Sequence, residues 1–239
     1  MEITDARLIL PDEIRRGSLS IRAGQIHKLS SNPAPKAKGE AMNLRGGYLA
    51  PGFIDLHIHG AMGRDTMEAR LDAFRNITEF HLRGGTTSLT LTTLSASQAD
   101  ILKALDAIAP LRNQAIGGAR IVGVHVEGPF ISKEKVGAQN PEYVRNPTAK
   151  EWGPILKHGQ LITQMTLAPE LPRALDLIKA LKKNGSIPSA GHTNADEKAL
   201  APALAAGMSQ STHTFNAMSS VFKRGAYRVA GMLEFALAN

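Results

Sequence analysis

PGFIDLHIHG, residues 51–60, reads as a buried β-strand that ends in a pair of histidines. Phe53, Ile54 and Leu56 supply the apolar run, and the two-residue period of a strand turns His57 and His59 to the same side. Two imidazoles facing one point suit a divalent cation, which zinc takes at about 2.0–2.1 Å from neutral ring nitrogens. An isolated His-x-His pair is equally an ordinary pair of strand histidines. Its meaning therefore depends on what the rest of the chain brings to it.

From Tyr48 onward the pattern alternates strand and helix. Met67–Leu82 has helical periodicity and stops at Gly84-Gly85, and a strand follows over Thr86–Leu94. Ser97 is placed to cap a helix carrying Ile101, Leu102, Leu105 and Ile108, which Pro110 closes. Ile121–Val126 is the next strand, and a helical segment around Thr148–His158 leads into the strand Leu161–Glu170. Pro172 is expected to open a helix that ends at Asn184-Gly185. Ile187–Ala190 is a short strand, Asn194 is expected to cap a helix to Ala206, and Ser209–Thr214 is the last strand.

Six β/α units at this spacing predict a parallel sheet covered by helices, either doubly wound or closed as a (β/α)8 TIM-like barrel. The polar residues favour the barrel. His57 and His59, His125 and Glu127, Glu170, His192 and His213 fall at the C-terminal ends of successive strands, where barrel sites are assembled. A doubly wound sheet concentrates its ligands at one switch point instead. Neither GxGxxG nor GxxxxGK[ST] is present, which argues against nucleotide enzymes of those kinds. Each strand-end residue alone has a bland reading as a salt-bridge partner, a helix cap or a surface group. Together they need a shared partner, because buried imidazoles and carboxylates are costly without one, and a metal supplies it.

Residues 1–50 are organised differently. Short alternating segments at Ile3–Leu10, Ser18–Ile21 and Gln25–Leu29 are separated by turn residues and predict a small antiparallel β unit. An exposed loop is expected over Ser31–Glu40. The barrel domain then occupies 51–239.

With 239 residues, 43% hydrophobic and 21% charged, the chain has the composition of a folded protein. It has no cysteine, so any metal must be held by His and carboxylates. The charged N-terminus has no secretory apolar core and no stretch reaches membrane-spanning length, so a cytoplasmic protein without a membrane partner is expected. A net charge of +7 invites nucleic acid, but the basic residues are scattered and only 5% are aromatic, so no nucleic-acid partner is expected.

The motifs PGFIDLHIHG, GVHVEGPF, TLAPE, SAGHTNA and THTFNAM occur in that order and resemble the N-acetylglucosamine-6-phosphate deacetylases of the amidohydrolase superfamily. PGFIDxHxH marks the superfamily, and the later motifs are more specific. The resemblance implies a deformed barrel with a small β-sandwich domain, and hydrolysis of the acetyl amide of an amino-sugar phosphate. It implies one or two divalent ions, zinc first and iron or another divalent ion next. Glu127, His192 and His213 match the principal metal ligands, and His57 and His59 match the additional pair of two-metal members. Asn216 and Ala217 match the backbone that contacts the sugar phosphate. Arg224 matches a phosphate-binding arginine supplied from the neighbouring subunit of a homodimer.

Two departures stand out. Gln139 occupies a position where the family commonly has a substrate-contacting His, and an amide cannot carry positive charge. The chain stops at Asn239 after six β/α units, and the family's catalytic Asp has no counterpart in it. The sequence thus reads as a C-terminally incomplete member with no catalytic base of its own, unless Asp55 or His125 serves instead. The competing expectations are another amidohydrolase acting on a cyclic or acyl amide, and a non-catalytic remnant that binds metal or sugar phosphate.

Overall fold

The computed structural model describes residues 1–31 and 40–239. Of the loop expected over Ser31–Glu40, all but the two ends lie outside them. The chain divides into two compact units, Met1–Gly52 and Phe53–Asn239.

The first unit holds β1 (Glu2–Ile9), β2 (Ile14–Arg22), β3 (Gln25–Ser31), β4 (Ala41–Asn43) and β5 (Tyr48–Leu49). Its sheet runs β3-β2-β1-β4, with β5 also on β1. β1, β2 and β3 pair antiparallel as their short turns require, but β4 and β5 run parallel to β1. The purely antiparallel expectation fails there because both strands return from beyond a long connection rather than through a hairpin. Ile3, Ala6, Leu8 and Leu19 are its buried core.

The second unit begins with β6 (Phe53–Ile58), the two short strands β7 (Gly60–Ala61) and β8 (Arg64–Asp65), and α1 (Leu71–Arg83). There follow β9 (Thr86–Thr93), α2 (Gln98–Ile108), β10 (Arg120–Glu127), α3 (Ala149–Leu156), β11 (Ile162–Leu167), α4 (Ala174–Asn184), β12 (Ile187–Ala190), α5 (Glu197–Ala205) and β13 (Gln210–Ser211). A hairpin of β14 (Phe222–Arg224) and β15 (Tyr227–Val229) precedes α6 (Met232–Ala238). The main sheet is six-stranded and parallel, in the order β13-β12-β11-β10-β9-β6. Consecutive parallel neighbours joined by helices are the pattern of a TIM-type barrel wall.

The central strands β9, β10 and β11 are buried over nearly their whole length, as strands covered on both faces must be, threonines of β9 and β11 included. Helices α1, α2 and α4 bury one stripe each: Phe74 and Ile77; Ile101, Leu105 and Ile108; Leu177, Ile178 and Leu181. Gly185 ends α4 in the left-handed region at φ +81°, returning its N–H to Leu181 and Lys182.

The structure corrects four local expectations. β6 is an edge strand among the described residues, so Phe53 and Ile54 are 71% and 67% exposed rather than buried. Pro172 lies outside α4, because Arg173 takes a left-handed conformation that delays the helix to Ala174. Asp196, not Asn194, caps α5, accepting from the amide of Ala199. β13 pairs only over Gln210–Ser211, and left-handed residues at His213, Phe215 and Ala217 then turn the chain away from the sheet. No helix among the described residues is long and apolar enough to cross a membrane.

Candidate metal centre

Glu127, the last residue of β10, is 1% exposed and lies at the centre of four imidazoles. Its Oε1 is 3.2 Å from His192 Nε2 and 3.1 Å from His213 Nε2. Its Oε2 is 3.0 Å from His59 Nε2, and Oε1 is 3.6 Å from His57 Nε2. Each histidine sits within two residues of the C-terminal end of its strand: His57 and His59 at β6, His192 after β12, His213 after β13. Strand alternation directs Glu127 and His57, whereas His192 and His213 are turned toward Glu127 by left-handed backbone just past their strands.

Three of the rings are anchored at the far nitrogen. Nδ1 of His192 lies 2.9 Å from the carbonyl of Lys135, Nδ1 of His213 3.1 Å from that of Asn216, and Nδ1 of His59 3.3 Å from that of Thr92. A carbonyl can only accept, so Nδ1 carries a proton in each ring; Nε2 faces Glu127, donating to the carboxylate when protonated and offering a lone pair to a cation when not. His57 Nε2 stands 3.1 Å from His59 Nε2, and His192 Nε2 3.0 Å from His213 Nε2. Lone pairs that close repel each other unless a proton or cation lies among them. His57, His59 and Glu127 form one group with ligand atoms within 4.8 Å of one another, and Glu127, His192 and His213 form another. Imidazoles with one carboxylate are a donor set that zinc and other borderline divalent ions accept, and carbonyl-anchored Nδ1 atoms are the usual outer support of such ligands.

The charges follow from this packing. Burial alone would push the Glu127 carboxyl up, but hydrogen bonds from His192, His213 and His59 hold it well below the usual carboxylate range. The hydrogen bond to Glu127 raises the pKa of His213 against the opposing effect of burial. Burial lowers His57, with Glu127 opposing.

The backbone around two of the rings is strained. His192 and His213 adopt positive φ, +47° and +34°, a conformation non-glycine residues hold only when their surroundings enforce it. For His192 the enforcement is visible. Glu170 accepts from the Thr193 hydroxyl at 2.5 Å and the Asn194 amide at 2.7 Å, while Ser132 N–H donates to the His192 carbonyl. Gly137 passes so near the ring that a Cβ there would lie 3.3 Å from His192 Cε1. Gly191 is equally confined, because a Cβ would meet the side chains of Thr212 and Thr166 below 3.0 Å.

Residues 48–236 match the model of the amidohydrolase family. The chain belongs to that family. It is 35% identical over 245 residues to N-acetylglucosamine-6-phosphate deacetylase of Bacillus subtilis strain 168, covering 99% of this chain and 60% of that protein. A variant of the Mycobacterium smegmatis N-acetyl-D-glucosamine-6-phosphate deacetylase, solved in complex with N-acetyl-D-glucosamine-6-phosphate, is 30% identical with TM-score 0.85; the match covers 98% of this chain and 59% of that one. The Pasteurella multocida N-acetylglucosamine-6-phosphate deacetylase structure is 26% identical with TM-score 0.88, covering 100% and 62% respectively. This amidohydrolase chain thus spans about three fifths of the length of these relatives.

The remaining residues singled out in the sequence lie as follows in this amidohydrolase. His125 shares the barrel-facing side of β10 with Glu127 but is fully buried, its Nε2 2.7 Å from Thr166 Oγ1, and burial pushes its pKa down to about 3. Asp55 accepts from the His57 amide. Asn216 and Ala217 lie in the turn beyond His213, where the Ala217 carbonyl accepts from the Thr193 amide. Arg224, on β14, pairs with Asp196 of its own chain and stays half exposed. Gln139 is buried against Glu127. The carbonyl of Lys135 and the position of Gly137 were not foreseen; a main-chain oxygen and a missing Cβ leave no side-chain signature, and only the left-handed tendency of Gly hinted at the latter.

Proposed function

We propose that this chain hydrolyses the acetyl amide of N-acetylglucosamine-6-phosphate, water in, glucosamine-6-phosphate and acetate out. The observation that carries the reading is the convergence of four imidazoles on buried Glu127 at the strand ends of an amidohydrolase whose relatives bear that name. In this reading Glu127, His192 and His213 hold one zinc ion, and His57 and His59 with Glu127 offer a second position. The chemistry such a cation would supply there is polarisation of the acetyl carbonyl and a lowered pKa of water, toward neutrality. The chain's own residues do the orienting: the carbonyls of Lys135, Asn216 and Thr92 hold the ring protons away from the centre. The backbone at Asn216 and Ala217 seats the sugar phosphate. Arg224, whose planar fork suits phosphate, reaches the site of a second copy in a cytoplasmic homodimer. Proton acceptance from water is assigned to no residue of this chain.

Because the chain spans 60% of its Bacillus relative, binding of the sugar phosphate without turnover is the second reading. Acetate release from N-acetylglucosamine-6-phosphate, measured with zinc, with chelator and in His192→Ala, separates them. Zinc-dependent release lost in the variant supports the first reading. Zinc-dependent binding without release supports the second, and neither binding nor release would overturn both.

A further inference from the structure

Gln139 lies on the segment after β10 and is 5% exposed. Its Nε2 donates to Glu127 Oε2 at 2.6 Å, and its Oε1 accepts from the Ser95 amide at 2.6 Å. The orientation is unambiguous, because the Ser95 N–H can only donate and the Glu127 carboxylate can only accept. Both ends of the amide are therefore committed within the protein, which leaves little of it for a substrate.

The two oxygens of Glu127 face different company. Oε1 is shared among His192, His213 and, farther off, His57. Oε2 meets His59 and the Gln139 amide. The neutral donor draws on one lone pair of Oε2 and fixes the rotation of the carboxylate. Oε1 is left mainly to the His192 and His213 side, where His192 is the most buried of the four imidazoles at 6% side-chain exposure, against 26% for His213, 27% for His57 and 31% for His59.

We infer that Gln139 is a positioning residue for Glu127 rather than a substrate contact, and that it directs cation binding to the Glu127, His192, His213 position ahead of the His57, His59 position. This rests on the metal reading of the cluster. The neutral amide suits the task because its hydrogen bond neither titrates nor adds a charge near the cation.

Zinc titration against a competing chelating dye tests it, on the 239-residue chain and on Gln139→Met, Gln139→Asn and Gln139→His. The expected result is a tighter and a weaker equivalent in the unchanged chain. Met removes the donor and Asn is too short to span both partners, so each weakens the tighter equivalent by about 10–100-fold, the usual loss for an outer support of a ligand. His offers one donor and one acceptor and restores most of the affinity. Thermal melting of the zinc-free variants shows whether each is folded, and Asn serves if Met is not. Unchanged zinc affinity in a folded Met or Asn variant, with weakened binding of N-acetylglucosamine-6-phosphate, would overturn the inference and make Gln139 a substrate contact. A folded unchanged chain that bound no zinc would overturn the metal reading itself, and this inference with it.

Discussion

His192 Nε2 and His213 Nε2 stand 3.0 Å apart, and each ring has its Nδ1 proton already committed to a backbone carbonyl. Without a cation, a proton in this gap relieves the repulsion, and the hydrogen bond to Glu127, which raises the pKa of His213, favours that ring as its carrier. Zinc binding then displaces that proton. Zinc affinity should fall as pH drops from 8 to 5.5, by about tenfold per unit for each proton displaced. Titration calorimetry in two buffers of different ionisation enthalpy measures the release directly. An affinity flat across that range would show that no proton is exchanged.

The ligand groups share only Glu127, so substitutions within them should differ in kind. Glu127→Ala removes binding at both positions. His192→Ala and His213→Ala abolish the tighter equivalent, whereas His57→Ala and His59→Ala lower the stoichiometry and leave the tighter equivalent in place. Zinc per chain after dialysis is the readout; equal losses from all four histidine variants would point to a single site instead.

Gly137 and Gly159 have nearly the same φ, +57° and +56°, but only Gly137 faces His192. Valine at either position incurs left-handed strain of roughly 1–2 kcal/mol. Both variants should lose a few degrees of melting temperature. Gly137→Val alone should also weaken zinc, because its side chain pushes on the His192 ring.

The zinc-free chain should lose stability as pH falls from 6.5 toward about 3, because His125 is neutral when folded and protonates when unfolded. In that window the unfolded state binds more protons, so stability rises with pH, by at most about 1.4 kcal/mol per unit for one group. His57, whose pKa is also lowered, adds to the same slope, whereas the raised His213 acts in the opposite sense only above 6.5. Glu127 contributes below about 4.5, so denaturant unfolding between pH 5 and 6.5 isolates the histidines. His125→Gln should flatten that slope; an unchanged slope would mean that His125 is not buried neutral.

The barrel wall was legible in the sequence because each helix stripe and each apolar strand repeats its own period, from Phe74 and Ile77 on α1 to Leu177 and Leu181 on α4. The candidate centre was legible as positions, since His57 and Glu127 lie at the ends of β6 and β10, and His192 and His213 two residues beyond β12 and β13. What could not be read were relations set by tertiary neighbours. Asn194 has the chemistry of a helix cap, yet Glu134 and Glu170 claim its side chain and amide, and Asp196 caps α5. Phe53 and Ile54 have the composition of a buried strand and lie exposed because β6 has one sheet neighbour among the described residues. Gln139 was placed near substrate by its motif; its commitment to Glu127 and Ser95 depends on where β9 and β10 end.

In the proposed function, Glu127 and the surrounding histidines hold a divalent cation. Zinc-edge X-ray absorption on the purified chain, beside Glu127→Ala, tests it most directly. At least one bound zinc with imidazole nitrogens and oxygen at about 2.0–2.2 Å is expected, lost in the variant. Zinc retained equally by Glu127→Ala, or a shell without imidazole, would contradict it.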